Sequence, residues 1–222
     1  MTYILHIDTS ADTGTVALGG DGKLLATRTS NENRNFASLI NGMIDEVLAE
    51  AGIKMADLAA VAHCGGPGSY TGLRIGLSTA KAICYTLDKP LIQNDKLVLL
   101  ALKPSYNYLL KYDAYITILP ARDKEFFISI HNNKLENVLK PQHIFLSQLG
   151  DLMDEYGKSA FITGQMSDEA AALIPETAVF AHETVIDLQQ WVSYTFLAYQ
   201  AQYFQNLATA EPVYLKQVYT HK

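Results

Sequence analysis

The chain has 222 residues, of which 49% are hydrophobic and 18% charged, and it carries a formal net charge of −6. That balance supports a real core and excludes wholesale disorder, while the acidic excess with scattered Lys and Arg excludes a broad nucleic-acid-binding face. No apolar run approaches the roughly 20 residues that a membrane-spanning helix needs. Met1-Thr2-Tyr3-Ile4 has no basic leader and runs into a strand pattern, and Cys64 and Cys84 are isolated thiols without CxxC spacing. A reduced, cytoplasmic setting is expected from those two features.

Three short strand patterns come first: Tyr3 to Asp8, Thr15 to Leu18 and Lys23 to Thr29. Asp21-Gly22 between the second and third predicts a tight hairpin, because a type I′ turn needs positive φ angles. A helix is predicted from about Asn35 to Ala51, with Phe36, Leu39, Ile40, Met43, Ile44, Val47 and Leu48 on one face. A buried strand is expected near Leu58 to Cys64, then a glycine loop, a helix from Ser69 to about Leu87 and a short strand at Leu91-Ile92. In the second half, Ala114 to Leu119, Glu125 to His131 and Leu135 to Leu139 read as strands. Ser147 to Tyr156 reads as a helix capped by Ser147, Ala160 to Thr163 as a strand and Ser167 to Leu173 as a short helix. Val179-Phe180 ends a strand, and a long helix follows from about Asp187 to Leu207. The sum is an α/β fold of two tandem βββαβα halves, divided near Lys103-Pro104-Ser105 into 1–103 and 104–222.

Gly65-Gly66-Pro67-Gly68-Ser69-Tyr70-Thr71-Gly72-Leu73-Arg74-Ile75-Gly76 is the most distinctive run. A strand, a glycine loop and a helix capped by Ser69 can serve an anion, a ligand or a partner, or simply make a tight turn. A Walker loop needs lysine after its last glycine, where Leu73 stands, and the dinucleotide glycine spacing is missed by one place. Gly72, Gly76 and Ala80 form a stripe of tiny side chains on the helix, which points to close packing against the chain's own sheet or another subunit. Asp8-Thr9-Ser10 ends the first strand; it can hold a hydrated metal and a phosphate, or make an ordinary polar turn. No two histidines stand at metal-ligand spacing on a helix, and no Gly-x-Ser-x-Gly elbow is present, so no metal site is expected. His6 and His63 fall inside apolar strands and read as core residues.

Ile7-Asp8-Thr9-Ser10, the run from Gly66 to Gly76, and Pro212-Val213-Tyr214-Leu215-Lys216 together resemble the TsaB family, a subunit of the bacterial machinery for threonylcarbamoyladenosine in tRNA. The resemblance implies an actin-like ATPase fold of two ribonuclease-H-like halves. It implies a partner, the catalytic paralogue TsaD, and joint work with the ATPase TsaE, this chain being a non-catalytic scaffold. Direct tRNA binding is not expected, and a homodimer is expected when the chain is alone. The catalytic paralogues hold a metal with two histidines on the first helix; here that stretch is Asn35-Phe36-Ala37-Ser38-Leu39. A working ATPase of this fold also has a second phosphate loop, where this chain has Pro120-Ala121-Arg122-Asp123-Lys124, without glycine. Asp8, Thr9 and Ser10 then read as a vestigial phosphate loop. No cofactor is expected on the chain itself beyond weak or complex-dependent ATP or ADP with Mg.

The resemblance further places the partner interface on the helices that begin near Phe36 and at Ser69. Phe36, Leu39, Met43, Tyr70, Gly72, Leu73, Arg74, Gly76, Leu77 and Ala80 are its candidate residues, with Arg74 as a polar anchor. On that reading Gly76→Arg leaves the monomer folded and abolishes association with TsaD. The competing class is an active nucleotide-dependent enzyme of the same fold, a kinase or ATPase using Asp8; a metallopeptidase is a third and weaker reading.

Overall fold

A computed structural model describes residues 1–32, 35–107 and 111–216. The first sheet is built from β1 (Tyr3–Asp8), β2 (Gly14–Gly20), β3 (Lys23–Ser30), β4 (Leu58–Cys64) and β5 (Leu91–Asn94). Their order is β3-β2-β1-β4-β5. The β1/β2 and β2/β3 pairs are antiparallel, and the β1/β4 and β4/β5 pairs parallel. Asp21 (φ 47°) and Gly22 (φ 79°) make the expected hairpin turn between β2 and β3.

The helices α1 (Phe36–Glu50) and α2 (Tyr70–Leu87) cover one face of this sheet. Strand alternation decides which residues meet them: Leu5, Ile7 and Val61 join Ile40, Ile44, Leu77 and Ala80 in one core. The opposite register, Ile4, Ala60, Ala62 and Ile92, packs against Phe196, Ala198 and Tyr199. Those three belong to the C-terminal helical region, where α6 (Leu188–Gln200) returns to the first sheet.

The second sheet repeats the plan with β6 (Ala114–Arg122), β7 (Glu125–Asn132), β8 (Asn137–Phe145), β9 (Ala160–Gly164) and β10 (Val179–His182). Its order is β10-β9-β6-β7-β8, which is the first sheet's order repeated in the second half of the chain. Helices α4 (Leu146–Tyr156) and α5 (Asp168–Ala171) supply Leu149, Met153 and Ala170 to a core with Ile116, Ile118, Ile128 and Ile130. Tyr112, Tyr115 and Phe161 form a separate aromatic cluster.

Several sequence expectations change. Lys96–Asn107 is a helix, α3, rather than a boundary segment, with Pro104 inside its last turns. The compact units are 1–96 with 188–213, and 97–187 with 214–222, instead of two contiguous halves. The reason is that α6 buries its apolar face on the first sheet. Helix α6 is also shorter than expected: Gln202 turns left-handed (φ 58°) and stops it. The chain then runs along β5, where Gln205 N donates to Leu91 O at 2.8 Å. Helix α4 starts one residue earlier than expected, its N-cap is Phe145 rather than Ser147, and the Phe145 N–H donates to Gln148 Oε1 at 2.9 Å.

Trp191 is fully buried and donates from Nε1 to Asn94 Oδ1 at 2.9 Å; Thr195 Oγ1 donates to the same oxygen at 3.1 Å. Asn94→Ala would strand both donors in the core and is expected to lower stability by about 1–3 kcal/mol. Trp191 is the single tryptophan, so its fluorescence through a urea titration reads that loss directly. An unchanged midpoint would remove this role for Asn94.

Candidate functional site

The site grows from the end of β1. Asp8, Thr9 and Ser10 are buried, at 8%, 2% and 2% exposure. Each has a committed partner within the chain. Ser10 N donates to Asp8 Oδ1 at 2.8 Å, and Thr9 Oγ1 donates to the Gly72 carbonyl at 2.6 Å. Ser10 Oγ accepts from Lys96 Nζ at 2.9 Å, and Ser10 O accepts from Ser69 N at 2.8 Å. The segment read from sequence as a vestigial phosphate loop thus clamps the start of α2. Ser69 is the N-cap that its sequence position predicted, accepting from Gly72 N at 3.2 Å.

The glycines make this clamp sterically possible. A Cβ on Gly72 would stand 1.9 Å from Thr9 O, and one on Gly68 2.1 Å from Ser10 O. A Cβ on Gly76 would stand 2.4 Å from Thr9 Oγ1 and 3.0 Å from His63 Nε2. The small-residue stripe is thus occupied by the chain's own β1 loop and β4. The glycine loop is held from two further directions: Lys96 N donates to Gly66 O at 2.7 Å, and Val213 N to Gly65 O at 2.8 Å.

This placement corrects part of the predicted interface. Phe36, Leu73 and Leu77 are buried side chains of the chain's own core, and Gly72, Gly76 and Ala80 are buried with them. None of these six presents a surface. Leu39 and Met43 on α1 are half-buried, while Tyr70 and Arg74 on α2 are exposed. The Arg74 guanidinium lies over the Tyr70 ring, 4.1 Å from its centroid. These two help line a cleft of about 460 Å³ with Ala37, Thr71, Ile75, Ser78 and Thr79. The last five were missed from sequence. The direction of the glycine stripe would have found most of them, because Thr71, Arg74, Ile75 and Ser78 recur at helical spacing on the opposite face of α2.

The residues of the Asp8 loop do not fit a hydrated metal with a phosphate. One oxygen of its carboxylate, both hydroxyls and the Ser10 N–H are turned onto the chain itself. The second position read from sequence is Pro120 to Lys124. Strands β6 and β7 continue into it and pair as far as Arg122 and Glu125, leaving Asp123-Lys124 as the turn, with Lys124 left-handed (φ 54°). Among the described residues no group of three or more His, Cys, Asp and Glu could hold a metal ion. No helix among them is long and apolar enough to cross a membrane.

Burial fixes the protonation of the two core histidines. His6 packs edge-on against Trp191 with ring centroids 5.1 Å apart, and burial pushes its pKa down to about 3. Burial likewise lowers His63 to about 4, the Asp8 charge opposing it. An unfolded histidine titrates near 6.5, so below that pH the unfolded chain binds more protons. Stability is therefore full above about pH 6.5 and falls as pH drops toward 4 and then 3, by about 1 kcal/mol per unit for each histidine. Urea midpoints measured from pH 7 to pH 4 check this; a flat profile would contradict neutral burial. In the second unit the Lys216 ammonium, then the His143 imidazole at 2.9 Å, hold the Glu125 carboxyl below its usual range.

Two five-stranded sheets of identical strand order, each with helices packed on it, define the duplicated ribonuclease-H-like architecture of the actin-like ATPase fold. A sequence model of the family described as "TsaD: tRNA N6-adenosine threonylcarbamoyltransferase" matches residues 23–211. The tRNA threonylcarbamoyladenosine biosynthesis protein TsaB of Bacillus subtilis is 27% identical over 165 residues, covering 72% of this chain and 70% of that protein. TsaB of Escherichia coli is 34% identical over 98 residues, covering 44% and 42%. The tRNA N6-adenosine threonylcarbamoyltransferase of Sphingopyxis alaskensis is 33% identical over 120 residues, but the match spans only 35% of that enzyme. A crystal structure from Pseudomonas aeruginosa, described as an uncharacterized protein with similarity to peptidase YEAZ, superposes with a TM-score of 0.81 at 20% identity. It covers 97% of this chain and 100% of its own. The chain belongs to the TsaD family, and within it to the TsaB group.

Proposed function

We propose that the chain is a non-catalytic accessory subunit in the formation of threonylcarbamoyladenosine in tRNA, binding and supporting TsaD. One observation carries this reading above the others. The β1 loop and the glycine stripe seat α2 firmly on the sheet, and the outer face of α2 beside Ala37 is left as an open cleft. A firmly seated helix with an open outer face suits assembly. A loop whose polar groups are satisfied internally does not suit phosphate chemistry. On this reading Tyr70, Arg74, Leu39 and Met43 meet TsaD, and the same face pairs two copies when TsaD is absent. TsaE acts with the assembled pair, tRNA is held by the other subunits, and nucleotide with Mg engages only in the complex.

The test is co-purification of the chain with TsaD from its own cell, followed by threonylcarbamoyl transfer to tRNA with and without the chain. Transfer that depends on the chain, together with a stable complex, is expected. ATP turnover by the isolated chain that is lost in Asp8→Ala would replace this reading with the enzyme class.

A further inference from the structure

Lys96 opens α3 yet is only 5% exposed, and Asp8 at the end of β1 is 8% exposed. Two buried charges of opposite sign need an explanation, because each alone would carry a large desolvation penalty. The structure links them through a single residue. Lys96 Nζ donates to Ser10 Oγ at 2.9 Å, and Ser10 N donates to Asp8 Oδ1 at 2.8 Å. Cys64 Sγ approaches the same Ser10 Oγ at 3.8 Å, and the fields of both Asp8 and Lys96 reach that thiol. The ammonium and the carboxylate are therefore bridged by Ser10.

We propose that Lys96 is a tethered cation that, bridged through Ser10 to Asp8, locks the Asp8 loop and with it α2 onto β1 without any ligand. The geometry explains why the lock is permanent. A diffusible cation leaves when its concentration falls, whereas an ammonium on α3 is covalently attached. The cation holds Ser10 by its hydroxyl, Asp8 holds it by its N–H, and the Ser10 carbonyl receives the N–H of Ser69, the cap of α2. Thr9 adds the bond to Gly72 O one turn further on. The seat of α2 thus depends on a charge supplied from within the chain. This inference does not rest on the accessory role: an enzyme with the same bridge would also hold α2 without metal.

The experiment is thermal unfolding of the full chain and its variants. Lys96→Met keeps length and apolar stem but removes the charge; Asp8→Asn removes the opposite one. Each single variant is expected to lower Tm by on the order of 10 °C, because one buried charge loses its counterpart. The double variant Lys96→Met/Asp8→Asn is expected to recover at least half of the summed loss. Additive losses, or a double variant no better than the worse single, would overturn the proposal, and so would a double variant that does not fold. Asp95→Asn in place of Asp8→Asn is the control for the neighbouring carboxylate; compensation by Asp95→Asn instead would also overturn it. Mg²⁺ or Mn²⁺ is expected to leave the wild-type Tm unchanged. A rise that Asp8→Asn abolishes would show a metal at the loop and refute the tethered cation.

Discussion

Gly76→Arg is expected to give an unfolded or insoluble chain rather than a folded monomer that has lost its partner. A Cβ at this position already meets Thr9 Oγ1 at 2.4 Å and His63 Nε2 at 3.0 Å. His63 is fully buried in β4, and Thr9 is fixed by its bond to Gly72. An arginine would have to push α2 off the sheet or bury a charge with no counterpart. Overpacking and charge burial together are expected to remove at least about 3 kcal/mol, a large fraction of the total stability of about 5–15 kcal/mol that domains have. Gly76→Ala grades the effect. Alanine favours a helix by about 1 kcal/mol over glycine, so a net loss of stability means that steric contact outweighs propensity. Urea unfolding followed by Trp191 fluorescence measures both variants. Equal or greater stability of Gly76→Ala would show that α2 is not seated on the β1 loop as described.

Arg74→Glu is the complementary case and is expected to act on assembly alone. Arg74 is exposed, stacks on Tyr70 and lines the cleft on the outer face of α2. A surface reversal of this kind changes stability by about 0.5 kcal/mol or less. Arginine and tyrosine are the residue types that dominate interface energies, and loss of such an anchor costs about 2 kcal/mol, roughly a 30-fold weaker complex. Titration of TsaD with wild-type and Arg74→Glu chain, alongside their urea midpoints, separates the two effects. Unchanged affinity at unchanged stability would take the interface away from this face of α2.

Most elements were legible in sequence because their signals are local. The Asp21-Gly22 turn, the Ser69 cap and the apolar face of α1 each follow from residues a few places apart. Helix α3 was not, because Leu97 to Leu102 is apolar on every side and Pro104 reads as a stop. The extended run after α6 was missed for a related reason: its hydrogen bonds go to Leu91 and Gly65, more than a hundred residues away. The site divided the same way. The motif from Gly65 to Gly76 marked the place and the family, and the stripe of small residues announced close packing. Which backbone approaches that stripe is a long-range fact, and it is Thr9 rather than a second protein.

Local turn chemistry and hydrophobic periodicity, which act over a few residues, suffice for a duplicated α/β protein with a helix launched from a glycine loop. The likeness to TsaB rests instead on the motifs at Ile7 to Ser10, Gly66 to Gly76 and Pro212 to Lys216. The facing of that helix, the return of α6 to the first sheet and the bridging of Lys96 to Asp8 through Ser10 are long-range outcomes of the fold. Those outcomes depend on which surfaces are buried together, and burial is settled by strand pairing between segments far apart in the chain.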